Sequence, residues 1–157
     1  MIQAEHREWV QRLFPDQPPA LPAALMLEEA GELVQALSKA AQERVYGKEP
    51  RYASTDWRAK VEDAVGDCAI SACSLCNANG WDFDKMLAES GAVLAVDDPL
   101  YIAVDVVQTA VCSVIDPRDV SCVAQYLRDL RALCAAIELD LEGCIRTTWD
   151  VVKRRTR

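Results

Sequence analysis

The residues best placed to do chemistry in this sequence are five carboxylates in two clusters. Glu28, Glu29 and Glu32 stand in Glu28-Glu29-Ala30-Gly31-Glu32, and Asp63 and Asp67 in Glu62-Asp63-Ala64-Val65-Gly66-Asp67. Glu28, Glu29 and Glu32 have no Lys or Arg three or four residues away, so a helix carrying them leaves like charges unrelieved. Hard oxygen donors without a supporting histidine or thiolate select Mg²⁺, with Mn²⁺ as the alternative, over zinc. The bland alternative is a pair of solvated acidic faces.

Helices must position these groups. At about 100° per residue, Met26, Ala30, Leu33 and Leu37 form one apolar stripe, with Glu29 and Glu32 along its flank. Val61, Val65, Cys68, Ala72 and Leu75 form another, and Asp63 and Asp67 share one side of that helix at i, i+4. From Cys68 to Trp81 no charged residue occurs, which predicts a segment buried all round with Asp67 as the last charge before it. Carboxylates at the mouth of a core need a cation to neutralise them.

Periodicity predicts helices near 3–13, 22–43, 57–79, 83–95, 99–114, 118–138 and 141–155, with no strand pattern in competition. Asp98-Pro99 and Asp116-Pro117 pair a capping carboxylate with a proline at the first helical position. Asp56 and Asp140 are further caps, and Asn79-Gly80 is a helix stop. The stretch from Pro15 to Pro22 reads as an extended connector, and that from Tyr46 to Thr55 as a loop able to close over a ligand. Offset by 58 positions (134 − 76), Leu75-Cys76 lies over Leu133-Cys134 and Trp81-Asp82 over Leu139-Asp140. A second offset of 73 (106 − 33) lays Leu33-Val34-Gln35 over Val106-Val107-Gln108. These matches suggest two fused helical-hairpin units, 1–95 and 96–157, in a single domain; chance matches in Ala/Leu-rich helices are the alternative. In the second unit Tyr101, Ile102, Asp105, Ser121 and Gln125 replace Glu28, Glu29, Glu32, Asp63 and Asp67, so one acidic site per chain is expected.

The 157 residues, 51% of them hydrophobic, suffice for one all-α domain held by packing alone. A formal net charge of -8 argues against a nonspecific coat for nucleic acid. No stretch reaches the apolar length of a membrane span, and the expectation is a soluble cytoplasmic protein. The seven cysteines fall among apolar residues and read as small reduced core side chains. Cys73-x-x-Cys76 lacks a second pair, and the single histidine, His6, offers little support for zinc.

Together, Glu28-Glu29-x-x-Glu32, the acidic helix ending in Gly66-Asp67 and the apolar segment closing at Gly80 resemble the MazG-like family of all-α nucleoside triphosphate pyrophosphohydrolases. Glu8-Trp9, Phe14-Pro15 and Leu25-x-Leu27 are similar to that family's lead-in, and Trp149-Asp150-Val151-Val152-Lys153-Arg154-Arg155 to its ending. The resemblance covers the chain to about residue 88 and again from about 139, and extends to the dimeric all-α dUTPases. It implies a helical bundle that holds Mg²⁺ and hydrolyses a nucleoside or deoxynucleoside triphosphate between its α and β phosphates. It further implies a nucleotide-pool house-cleaning role.

On this resemblance Glu29, Glu32, Asp63 and Asp67 are the expected metal ligands, and Glu28 the group that orients or deprotonates water. Lys153 and Arg155 would meet the β and γ phosphates, though a solvated last turn complementing the helix dipole explains them as well. Trp9 and Asp150 are candidate base or ribose contacts. The family's second motif carries Glu three residues before its Asp, where this chain has Ala64; Asp63, one turn from Asp67 on the same face, is the favoured substitute, the alternatives being a site with one ligand fewer or a weak enzyme. A homodimer is expected, since such bundles leave apolar faces to cover. The rival readings are a degenerate bundle that binds nucleotide or a protein partner, and a plain helical scaffold.

Overall fold

The computed structural model describes residues 2–18, 20–46, 56–91 and 98–155. Among these the fold is an all-α bundle: α1 (Gln3–Leu13), α2 (Leu21–Tyr46), α3 (Trp57–Asn79), α4 (Phe83–Glu89), α5 (Pro99–Ile115), α6 (Val120–Ala136) and α7 (Leu141–Val152). None of these helices is long and apolar enough to cross a membrane. The fourth helix is shorter than the expected 83–95: it ends at Glu89, capped at Ser90, and Gly91 takes a left-handed φ of 65°. The expected lid over 47–55, Pro19 and Arg157 lie outside the described residues.

Both apolar stripes face the core: Met26, Ala30 and Leu33 on α2, and Val65, Cys68, Ala72 and Leu75 on α3, are fully excluded from solvent. Burying a side chain of the size of Leu33 stabilises the fold by about 1.5–3 kcal/mol. The predicted all-round burial after Asp67 holds for residues 68–73, after which Ser74 is half-buried. Asp56, Asp82 and Asp98 cap through their carboxylates, accepting from Ala59, Lys85 and Leu100 backbone N–H groups.

Two capping expectations need correction. Asp116 closes α5 rather than opening α6, because Pro117 and Arg118 form a turn in which Asp116 accepts from Arg118 N; Asp119 is the N-cap, accepting from Ser121 N at 2.9 Å. Asp140 precedes α7 without a side-chain cap bond and instead reaches Arg146 at 3.5 Å. Two cysteines also depart from expectation: Cys112 is exposed and Cys122 half-buried, whereas Cys68, Cys73, Cys76, Cys134 and Cys144 are buried, all as free thiols. Burial pushes the Cys76 thiol up to about 12, which keeps it protonated and unreactive.

The two hairpins α2–α3 and α5–α6 end alike. Trp81 N donates to the Cys76 carbonyl at 2.9 Å and Leu139 N to the Cys134 carbonyl at 2.8 Å, each closing a left-handed helix stop. Gly80 takes the left-handed position in the first, with φ of 72°, and Glu138 in the second, with φ of 56°. Phe83 and Leu141, the first residues after the next caps, are both buried. The trailing helices then cross over, α7 packing along α3 and α4 against α6, while α2 lies along α5.

Candidate functional site

The facing sides of α2 and α3 gather the predicted carboxylates. Burial first, then the negative charges of Asp67, Glu32, Glu28 and Asp63, push the Glu29 carboxyl up to about 7. Asp67 rises to about 6 for the same reasons, burial and then Asp63, with Arg155 drawing it down and Glu32 adding to the rise. Glu28, Glu32 and Asp63 are exposed at the rim. No ion pair reaches any of these five carboxylates among the described residues, whereas Glu62 next to them pairs with Arg58 at 3.1 Å. The residues predicted from spacing on two helices therefore share one electrostatic environment.

Asp67 belongs to two recesses at once. On one side is a cavity of about 560 Å³, walled by Trp9, Phe14, Leu25 and Ile70 and also lined by Glu29, Asp67 and Arg155. On the other is a charged recess of about 330 Å³, lined by Glu32, Asp63 and Asp67 together with Lys39, Lys60 and Trp57. One side suits a flat apolar group, and the other an anion whose charge is shared between cations and carboxylates. Ala64, 8% exposed, forms part of the recess wall between Asp63 and Asp67.

The predicted tail residues separate. Arg155 reaches the cavity beside Asp67, because α7 packs against α3 and ends at Val152, also in the cavity wall. Lys153 pairs with Asp150 on the exposed side of the chain, and neither lines the cavity. Trp9 is in the cavity wall, its ring 5.5 Å from Phe14 and edge-on to Trp149 at 6.1 Å. Its indole N–H is buried without a hydrogen-bond partner among the described residues.

Sequence reasoning missed Lys39 and Lys60. Both were within reach of it: Lys39 lies two helical turns after Glu32, and Lys60 three residues before Asp63. It also missed His6, which is buried between α1 and α3, its neutral form favoured by burial that lowers it to about 4. An isolated histidine in an amphipathic first helix carried no spacing that pointed to Ser74 or Asn77.

Among the described residues no three His, Cys, Asp or Glu side chains stand assembled as a metal cradle. The donor set nevertheless fits a hard divalent cation: oxygen ligands only, mutually repelling, with Glu29 and Asp67 half-buried and no direct ion pair to any of them among the described residues. Set against known protein families, curated proteins and solved structures, the chain matches none.

Proposed function

We propose that this protein is a Mg²⁺-dependent nucleoside triphosphate pyrophosphohydrolase of the MazG-like kind, producing a nucleoside monophosphate and pyrophosphate. The observation that carries this reading is the position of Asp67, shared between an apolar cavity and a recess of carboxylates and lysines. That arrangement matches a molecule flat and apolar at one end and polyanionic at the other. The sequence resemblance in the two acidic motifs supports the same reading.

Glu29, Glu32 and Asp67, with Asp63 at the rim, would hold Mg²⁺, or Mn²⁺ in its place. When bound, the ion neutralises phosphate charge and polarises the α phosphorus for attack by water. Glu28, exposed beside Glu29, orients that water and accepts its proton. Arg155, Lys39 and Lys60 face the phosphates, with Arg155 able to form paired hydrogen bonds to phosphate oxygens. The new bond joins water oxygen to the α phosphorus, and the bond from it to the bridging oxygen breaks, so pyrophosphate departs. Trp9 and Phe14 flank the base. Such an enzyme would work on the cytoplasmic nucleotide pool.

A second copy of the chain is part of this reading. Tyr101, 73% exposed, and Ile115, 78% exposed, lie with Val104 and Val111 on the side of α5 opposite its buried Ile102, Val106 and Ala110. An apolar stripe of this kind supports a homodimer.

The test is release of pyrophosphate from a panel of ribo- and deoxyribonucleoside triphosphates with Mg²⁺. Turnover that falls at least a hundredfold in Glu29→Gln and Glu32→Gln supports the reading, and turnover indifferent to both substitutions refutes it. The alternative, a degenerate bundle that binds nucleotide or a protein partner, is favoured by Ala64 where the resemblance calls for a carboxylate. Stabilisation by nucleotide with no turnover of any substrate would select it.

A further inference from the structure

The cavity that ends at Asp67 carries a directional chain of hydrogen bonds in its wall, and its direction can be read from two backbone anchors. Phe83 N donates to Gln3 Oε1 at 2.9 Å, and Gln3 Nε2 donates to the Trp81 carbonyl at 2.6 Å, which fixes the Gln3 amide. Gln3 Nε2 and Arg7 Nε both donate to Asn77 Oδ1, at 3.1 and 3.3 Å, which fixes the Asn77 amide in turn. Asn77 Nδ2 therefore donates to His6 Nδ1 at 3.0 Å.

A neutral imidazole that accepts at Nδ1 carries its proton on Nε2. His6 Nε2 accordingly donates to Ser74 Oγ at 3.2 Å, and Ser74 Oγ donates its own proton to the Ile70 carbonyl at 3.2 Å. The hydroxyl then has one lone pair left, at a residue that lines the cavity. Ser71, one turn away in the same wall, likewise gives its proton to a backbone carbonyl, that of Cys68 at 2.8 Å. The α3 wall thus offers acceptors and no side-chain donor.

We infer that this wall selects the base: the cavity takes a nucleobase with an exocyclic amino group, cytosine or adenine, which donates to Ser74 Oγ. Bases with a carbonyl there, uracil or hypoxanthine, oppose one acceptor with another. They fit only if Ser74 turns its proton away from Ile70, whose carbonyl keeps its helical partner, so discrimination is about tenfold rather than absolute. The apolar walls from Trp9, Phe14 and Leu25 hold the ring, which they do for any base; Gln17 and Arg155 also line the cavity, and on the α3 side the choice falls to the serine. His6 also lines the cavity, but both its ring nitrogens are engaged, and it acts as a positioning residue by pinning the Ser74 oxygen.

This inference rests on the pyrophosphohydrolase reading for its catalytic assay, and a binding assay separates the two. With Mg²⁺, kcat/KM is expected to favour CTP over UTP and ATP over ITP by about tenfold each. Ser74→Ala brings both ratios to about one, and Ser74→Thr, which keeps the hydroxyl, restores them. Ratios of about one in the wild-type protein, or ratios unchanged in a folded Ser74→Ala protein, overturn the inference. Should no triphosphate be turned over, the catalytic reading fails on its own, and calorimetric titration with CMP and UMP decides the inference: tighter CMP binding upholds it, and equal or reversed affinities overturn it.

Discussion

Gly66 of α3 lies directly against Thr148 of α7: a Cβ at Gly66 would fall 2.7 Å from the Thr148 Cβ and 2.9 Å from the Cys144 carbonyl oxygen. One residue before Asp67, the two helices touch with only the Thr148 side chain between them. Gly66→Ala is therefore expected to destabilise by about 1–3 kcal/mol, the overpacking outweighing the roughly 1 kcal/mol gained in helix propensity. Thermal melting should show a Tm lower by several degrees, and Thr148→Ala in the same chain should recover part of it. Because α7 carries Arg155 to Asp67, pyrophosphate release should fall more in Gly66→Ala than the unfolded fraction accounts for.

The raised carboxyls set the pH dependence of stability. A carboxyl whose pKa is higher folded than unfolded keeps its proton longer in the folded state, so stability falls as pH climbs from the unfolded value to the folded one. For Asp67 that window runs from about 4 to about 6, and for Glu29 from about 4.5 to about 7. Tm without metal should drop by several degrees between pH 5 and pH 8. Millimolar Mg²⁺ should reverse the drop at pH 8 and have little effect at pH 5, where the cation must displace protons.

Ala64 lines the same recess as Glu32, Asp63 and Asp67. Ala64→Glu should lower the Mg²⁺ concentration giving half-maximal activity by about tenfold, since a further carboxylate raises affinity for a hard cation. A metal titration of pyrophosphate release checks this, and Ala64→Gln, which adds bulk without charge, should not reproduce it.

Glu138 holds a left-handed conformation, with φ of 56°, that a glycine adopts without cost. Glu138→Gly should stabilise the protein by about 0.5–1 kcal/mol, read as a Tm rise of a few degrees. The reverse change at the matching stop, Gly80→Glu, should destabilise by a similar amount.

The exposed stripe of α5 predicts association. Ile115→Glu should halve the mass seen by light scattering at micromolar protein if a second copy covers that face, with the helix content by circular dichroism unchanged. An unchanged mass would remove α5 from the interface.

The helices were legible because burial repeats with the helical period: Met26, Ala30, Leu33 and Leu37 all face the core as their spacing requires. The pairing of Glu29 with Asp67 was legible for the same reason, each lying on the flank of a buried stripe. Asp116 misled because an Asp-Pro step serves a turn as readily as a helix start, and only the Arg118 N–H bond decides between them. Lys153 and Arg155 look equivalent in the sequence, yet α7 ends at Val152, and beyond it only Arg155 lines the cavity while Lys153 pairs with Asp150. The Gln3–Asn77–His6–Ser74 chain was invisible, since it joins residues more than sixty positions apart through side chains with no shared period.

The crossing of the trailing helices makes the acidic half dependent on its partner. A fragment ending at Gly91 would keep Glu28, Glu29, Glu32, Asp63 and Asp67, but α7 would no longer cover α3 nor α5 lie along α2. Water would then reach Glu29 and Asp67, and the upward shift that burial gives both carboxyls would relax. The half without the acids thus maintains the burial of Glu29 and Asp67 on which the proposed cation site depends, which gives the second hairpin a role although it contributes none of the five carboxylates.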